Sequence, residues 1–102
     1  MKNGFGAVDS LAISDEINIP LVIIYNKKLD KKTYHGFVPG LTKNDVVDEN
    51  VELCKNKLKE VAKEIIVKHK KNNLPFPYFP SKDEILQDFQ NVCYLSFIKL
   101  KK

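Results

Sequence analysis

The side chains in this 102-residue chain that could carry chemistry are few: two histidines, two cysteines and thirteen carboxylates. His35, His69, Cys54 and Cys93 do not fall into any zinc-ligand spacing. A thiol enzyme would need a base poised against a nucleophilic cysteine. Cys54 and His69 instead lie on the apolar face of one expected helix, where a thiol behaves as a small hydrophobe and a histidine packs. Cys93 opens an expected strand, and the two cysteines read as reduced core thiols rather than a disulfide. A carboxylate metal site needs acids converging from core strands. The most apolar strand, Leu21–Tyr25, carries none, and Asp30, Asp45, Asp48 and Asp88 fall in loops or on helix surfaces. Gly4-Phe5-Gly6 lacks the preceding strand and third glycine of a phosphate loop. These residues predict a noncatalytic protein with neither a metal site nor a cofactor.

Binding is the chemistry that remains. His35 and Phe37 share one face of an expected strand, opposite Tyr34 and Val38, and form a candidate partner surface. Phe76, Tyr78 and Phe79 sit in a segment with three prolines, Leu74-Pro75-Phe76-Pro77-Tyr78-Phe79-Pro80, and supply further partner-binding candidates. Lysines concentrate over residues 51–73. Of these, Lys55, Lys59, Lys63 and Lys70 are candidates for nucleic-acid contact, with the three aromatics as stacking faces for a single strand. The formal charge is +4, but no residue of the chain is an arginine, so no guanidinium fork is present for bidentate readout of phosphate or guanine. RNA binding by such a surface would be nonspecific and salt-sensitive.

The elements that would position these residues follow from periodicity. Residues 1–18 read as an N-terminal arm in which Asp9-Ser10 could cap a short helical turn, and residues 19–102 as a single domain. Leu21-Val22-Ile23-Ile24-Tyr25 is a continuous run of the kind found in a strand covered on both faces, within a strand from Ile19 to Asn26. Lys27–Lys32 reads as a polar hairpin loop, and Thr33–Val38 as the return strand. Pro39-Gly40 stops that strand, because proline lacks the ladder donor and glycine admits positive φ. Leu41–Asp45 forms a turn or a third short strand. A long helix begins near Asp48 or Asn50, either of which can cap it. Its apolar stripe is Val51, Cys54, Leu58, Val61, Ala62, Ile65, Ile66 and His69, and Asn72-Asn73 ends it. The proline-rich connector excludes helix and central strand. Ser81 and Glu84 form a capping box for a short second helix through Ile85, Leu86 and Phe89. Val92–Leu100 is the last strand. The fold class is α+β: a small, antiparallel-rich sheet of three or four strands in the order β-β-(β)-α-α-β, with one long amphipathic helix on one face.

No apolar run reaches the roughly 18 residues of a membrane span, and no apolar core follows Lys2 as in a secretory signal. The expectation is a cytoplasmic protein with no membrane contact.

The return strand Tyr34-x-Gly36-Phe37-x-Pro39-Gly40-Leu41, followed by a turn, a long helix and a final strand, resembles the HicB-like antitoxin domain of bacterial toxin–antitoxin systems. The helix Val51–His69 and the proline-rich exit at Leu74–Ser81 before Glu84-Ile85 are similar to that family as well. The resemblance covers residues 19–100. It implies a partly degenerate ribonuclease H-like fold without catalysis, a small RNA-cleaving HicA-like toxin as partner, and a homo-oligomer such as a dimer. The family's Cys and Gly before the helix are missing here, as is its Glu-Ala pair near the helix start. No C-terminal DNA-binding module precedes Lys102, so operator binding is not expected. The alternative is a stand-alone RNA-binding protein using the Lys-rich helix 51–71 and the aromatic loop 74–80.

Overall fold

The computed structural model describes residues 16–28 and 31–101. The elements run β1 (Glu16–Lys28), β2 (Lys31–Phe37), β3 (Val46–Asp48), α1 (Val51–Lys71), α2 (Lys82–Asp88) and β4 (Val92–Lys101). They form a four-stranded sheet in the order β3-β2-β1-β4, antiparallel throughout. The fold is α+β, as its periodicities predict.

The continuous apolar run of β1 is explained by helices on both faces of the sheet. Ile19, Leu21 and Ile23 meet the α1 stripe Cys54, Leu58, Ala62 and Ile66, and all of these are buried. Val22, which points the other way, is buried as well. On that second face α2 buries Ile85, and Phe89, just past its end, lies 5.0 Å from Phe37. The chain reaches that face because α1 ends at the foot of the sheet, beside the start of β1, and the connector then passes beneath the sheet. After α2 the chain turns at Asn91, where a left-handed φ of 61° is tolerated by asparagine, and descends as β4.

Several boundaries differ from the sequence expectation, each for a visible reason. β1 starts at Glu16 rather than Ile19, because β4 is long enough to pair with Ile17 and Asn18. Residues 16–18 are therefore part of β1, while the expected turn at Asp9–Ile13 lies outside the described residues. The lysines expected in a loop are paired in the ladder as far as Lys28↔Lys31, since the β1–β2 hairpin projects beyond the core, where both faces can be polar. The third strand is Val46–Asp48, and Leu41–Asp45 is not a strand.

The stop after β2 is a type II turn. Leu41 N–H donates to Val38 O at 3.0 Å, with Pro39 and Gly40 at the corners and Gly40 at φ 79°. Thr42 secures it by accepting from Val38 N–H through Oγ1 at 3.1 Å. Asn50, not Asp48, caps α1, accepting from Leu53 N–H at 3.0 Å. Asp48 instead accepts from Asn50 N–H at 2.8 Å and from Lys57 Nζ at 2.7 Å. Lys57 and that N–H hold its carboxyl below the usual range.

Candidate functional site

At the foot of the sheet the polar C-terminus of α1 gives way to the proline-rich connector. Asn73 takes a left-handed φ of 55°, Leu74 N–H donates to His69 O at 2.8 Å, and Asn73 N–H donates to Lys70 O at 3.3 Å. This is the Schellman arrangement, with asparagine in the position glycine usually takes. The prolines at 75, 77 and 80 then keep the segment extended. Phe76 stacks on His69 at 5.2 Å between ring centroids with 15° between the planes, and Phe79 lies 6.3 Å from Phe76. Both phenylalanines pack against the α1-side core. His69 Nδ1 is buried with no hydrogen-bond partner among the described residues.

Tyr78 behaves differently. It is 75% exposed, yet its hydroxyl donates to Glu84 Oε1. The same carboxylate accepts from Ser81 N–H at 2.9 Å, while Glu84 N–H donates to Ser81 Oγ at 3.3 Å. The capping box of α2 therefore holds the Tyr78 ring out in solvent by its polar end. The Ser81 N–H, then the Tyr78 hydroxyl, keep the Glu84 carboxyl below its ordinary range, and the carboxylate raises the Tyr78 phenol. The two proline motifs also meet here. A Cβ on Gly40 would lie 3.6 Å from Pro77 and from the Tyr78 carbonyl.

Between the connector, the last turn of α1 and the lower ends of β1 and β4 lies an open groove of about 1100 Å³. Its walls are aromatic and aliphatic, including Ile17, Phe76, Phe79, Phe97 and Leu100. Lys70, Lys82 and Lys99 line it from three different elements, and no carboxylate is among the described lining residues. Among the described residues no three His, Cys, Asp or Glu side chains come together as metal ligands. No described helix is long and apolar enough to cross a membrane. With apolar walls and a cationic lining, this groove is suited to holding an amphipathic, anionic ligand.

The structure divides the residues singled out from sequence. Phe76, Tyr78, Phe79 and Lys70 converge on the groove. Lys55, Lys59 and Lys63 do not line it. Lys55 is already engaged, 3.1 Å from Glu52 and 4.5 Å from the centre of the Tyr94 ring, whereas Lys59 and Lys63 are exposed. His35 and Phe37 share a sheet face as expected, but that face is not simply solvent. Phe37 is half-buried against Phe89, with a smaller hollow of about 390 Å³ between it, Ile24 and Gly40. His35 is held at the β3 side, 3.2 Å from Thr33 Oγ1 and 3.7 Å from Asp45 Oδ2. Cys93 is exposed rather than a core thiol, because a bulge between Ile23 and Ile24 leaves it unmatched in the β1–β4 register. Lys82, Phe97 and Lys99 were missed as groove residues. Each is legible only once the connector, α2 and β4 are known to end at the same place.

No protein-family model matches the chain, and neither a curated protein nor a solved structure matches it.

Proposed function

We propose that this protein is a noncatalytic binding module of the HicB-like antitoxin type, which neutralises a small RNA-cleaving toxin by holding a segment of it. The observation that supports this reading is the groove at the foot of the sheet, where Phe76 and Phe79 form a packed base and Tyr78 stands 75% exposed beside it. Exposed aromatics at the mouth of an apolar groove are the residues that anchor protein partners. Co-expression with HicA-like toxins tests it. The expected result is a complex that survives purification and relieves growth arrest, and that Tyr78→Ala weakens at least tenfold. Failure to form any complex, or a complex indifferent to Tyr78, overturns it.

A second reading, single-stranded RNA, is favoured by one specific feature: Lys70, Lys82 and Lys99 line the groove with no acid among its described lining residues. Three lysine–phosphate contacts give a slope of log K against log salt of about −2, with one base stacked on Tyr78. A gel shift at low salt that disappears in Lys82→Glu supports RNA. No shift at low salt removes it.

A further inference from the structure

The two edges of the sheet differ in kind. One is β3, three residues long, with Asp45, Asp48 and Glu49 in or beside it. Short length and charge are the usual ways of blocking an edge against pairing with another chain. The other is β4, ten residues long, with no described strand on its outer side. It carries no proline, its only charges are lysines at its lower end, and its one irregularity lies near its start.

The register shows which backbone groups of β4 are not used by a described strand. Tyr25 N–H donates to Asn91 O, so the odd-numbered residues of β1 direct their backbone groups towards β4. Their partners Tyr94, Ser96, Ile98 and Leu100 spend their own groups on β1. Leu95, Phe97 and Lys99, paired with Val22, Pro20 and Asn18, therefore turn their N–H and C=O groups outward. That Pro20, which has no N–H, lies opposite Phe97 agrees with this phase.

We propose that two copies of this chain associate through β4, in antiparallel register about a two-fold axis at Phe97, to form one continuous eight-stranded sheet. A two-fold interface must be self-complementary, and this register is. It pairs Phe97 with its symmetry mate and Leu95 with Lys99, so three of the four outward-facing residues are used and only the terminal Lys101 falls opposite the bulge. On the α1 face it sets Tyr94 opposite Leu100 and Ser96 opposite Ile98, so aromatic, aliphatic and small side chains face each other. No lysine lies opposite another lysine. A shift of two residues toward the start of β4 brings in the bulged Cys93, and a shift of four toward its end sets Lys99 against Lys99. Because Phe97, Lys99 and Leu100 also line the groove, the pairing brings the grooves of the two copies to either side of the seam. The proposal stands independently of what the groove binds.

The test is residue-resolved amide exchange on the full chain at low and at high micromolar concentration, with sedimentation run in parallel. Wild-type protein is expected to sediment as a dimer at the higher concentration. The amides of Leu95, Phe97 and Lys99 should gain at least tenfold protection there, while those of Tyr94, Ser96 and Ile98 are protected at both. Lys99→Pro removes one outward N–H without touching the β1 ladder, and is expected to weaken dimerisation at least tenfold with an unchanged circular-dichroism spectrum. A monomer at every concentration overturns the proposal. So does concentration-independent protection of the three amides, which would assign the edge to another segment of the same chain, or concentration-dependent protection at Val47, which would assign the interface to β3. The wild-type exchange pattern decides the matter even if Lys99→Pro does not fold.

Discussion

The distance between α1 and the sheet is set at Gly36, and replacing that residue with alanine is expected to destabilise the protein. Gly36 is buried in β2 directly under α1. A Cβ there would lie 3.2 Å from Cys54 Sγ, 3.2 Å from Leu58 Cδ2 and 3.5 Å from Ile23 Cγ1. The first two contacts are a few tenths of an ångström inside ordinary packing distance. Neither neighbour has room to retreat: Cys54 and Leu58 are fully buried, and the Cys54 thiol sits 3.5 Å from both the Tyr34 and Val46 carbonyls. Against the overpacking cost of about 1–3 kcal/mol stands the gain from restricting the unfolded chain, about 0.4–1 kcal/mol. The net expectation is a loss of about 1–2 kcal/mol, which in a domain of this size lowers Tm by roughly 5–10 °C.

Urea unfolding of Gly36→Ala, Cys54→Ala and the double variant reads this directly. Cys54→Ala alone opens a small void and costs stability. In the double variant the alanine methyl at position 36 has the space that the sulfur vacated, so the two losses do not add. The coupling is expected to be favourable by about 1 kcal/mol. A Gly36→Ala protein as stable as wild type would refute the reasoning, because it would mean that α1 moves away from β2 at no cost. Additive losses would show that the strain is carried elsewhere than at the Cys54 sulfur.

Three further outcomes follow from the site and its supports. Glu84 has a folded pKa below its ordinary 4.5, so its contribution is present above the unfolded value and lost as pH falls through the folded one. Acid unfolding of Glu84→Gln, which keeps a capping partner for Ser81, is expected to show a flatter loss of stability below about pH 4.5; an unchanged acid limb counts against the Ser81 and Tyr78 bonds. His69→Phe keeps the stack on Phe76 and removes a buried nitrogen without a partner, and is expected to raise stability by about 1 kcal/mol; thermal melts showing a loss would mean that Nδ1 is satisfied. In thiol titration of the native protein Cys93 is expected to react first and Cys54 only on unfolding. Cys93 should still react more slowly than a free thiol, because burial raises its pKa and its sulfur turns to the Ile23 carbonyl at 3.5 Å; equal rates for the two cysteines would contradict this geometry.

The parts of the fold that were legible in the sequence are those specified by local rules. Pro39-Gly40 reads as a strand stop because a type II turn needs those two residues in that order. Ser81 and Glu84 read as a helix start because their spacing places each on the other's backbone. The stripe Cys54–Leu58–Ala62–Ile66 reads as one buried face because its period is helical. The continuous run Leu21–Tyr25 correctly implied cover on both faces, but nothing local showed that the second cover is α2, a helix of only seven residues. That single long-range fact is what turns Phe37 inward onto Phe89. Cys93 was misplaced for a similar reason, since a bulge shifts every later side chain of β4 relative to β1 and leaves no mark of its own in the periodicity.

The same non-locality decides where the groove lies. The lysines of α1 looked like one charged face in sequence, yet only Lys70 reaches the groove; its other cationic residues, Lys82 and Lys99, come from α2 and β4. Charge density along a helix therefore does not locate the groove, whereas the convergence of chain ends does. The Pro39-Gly40 turn belongs to that convergence too. Gly40 lies against Pro77 and the Tyr78 carbonyl, so the turn that ends β2 also braces the segment presenting Tyr78. A side chain at residue 40 would strain the left-handed φ of 79° and press on the brace together. Residues 39 and 40 bear on the position of Tyr78, fixing one end of the connector while the capping box of α2 fixes the other.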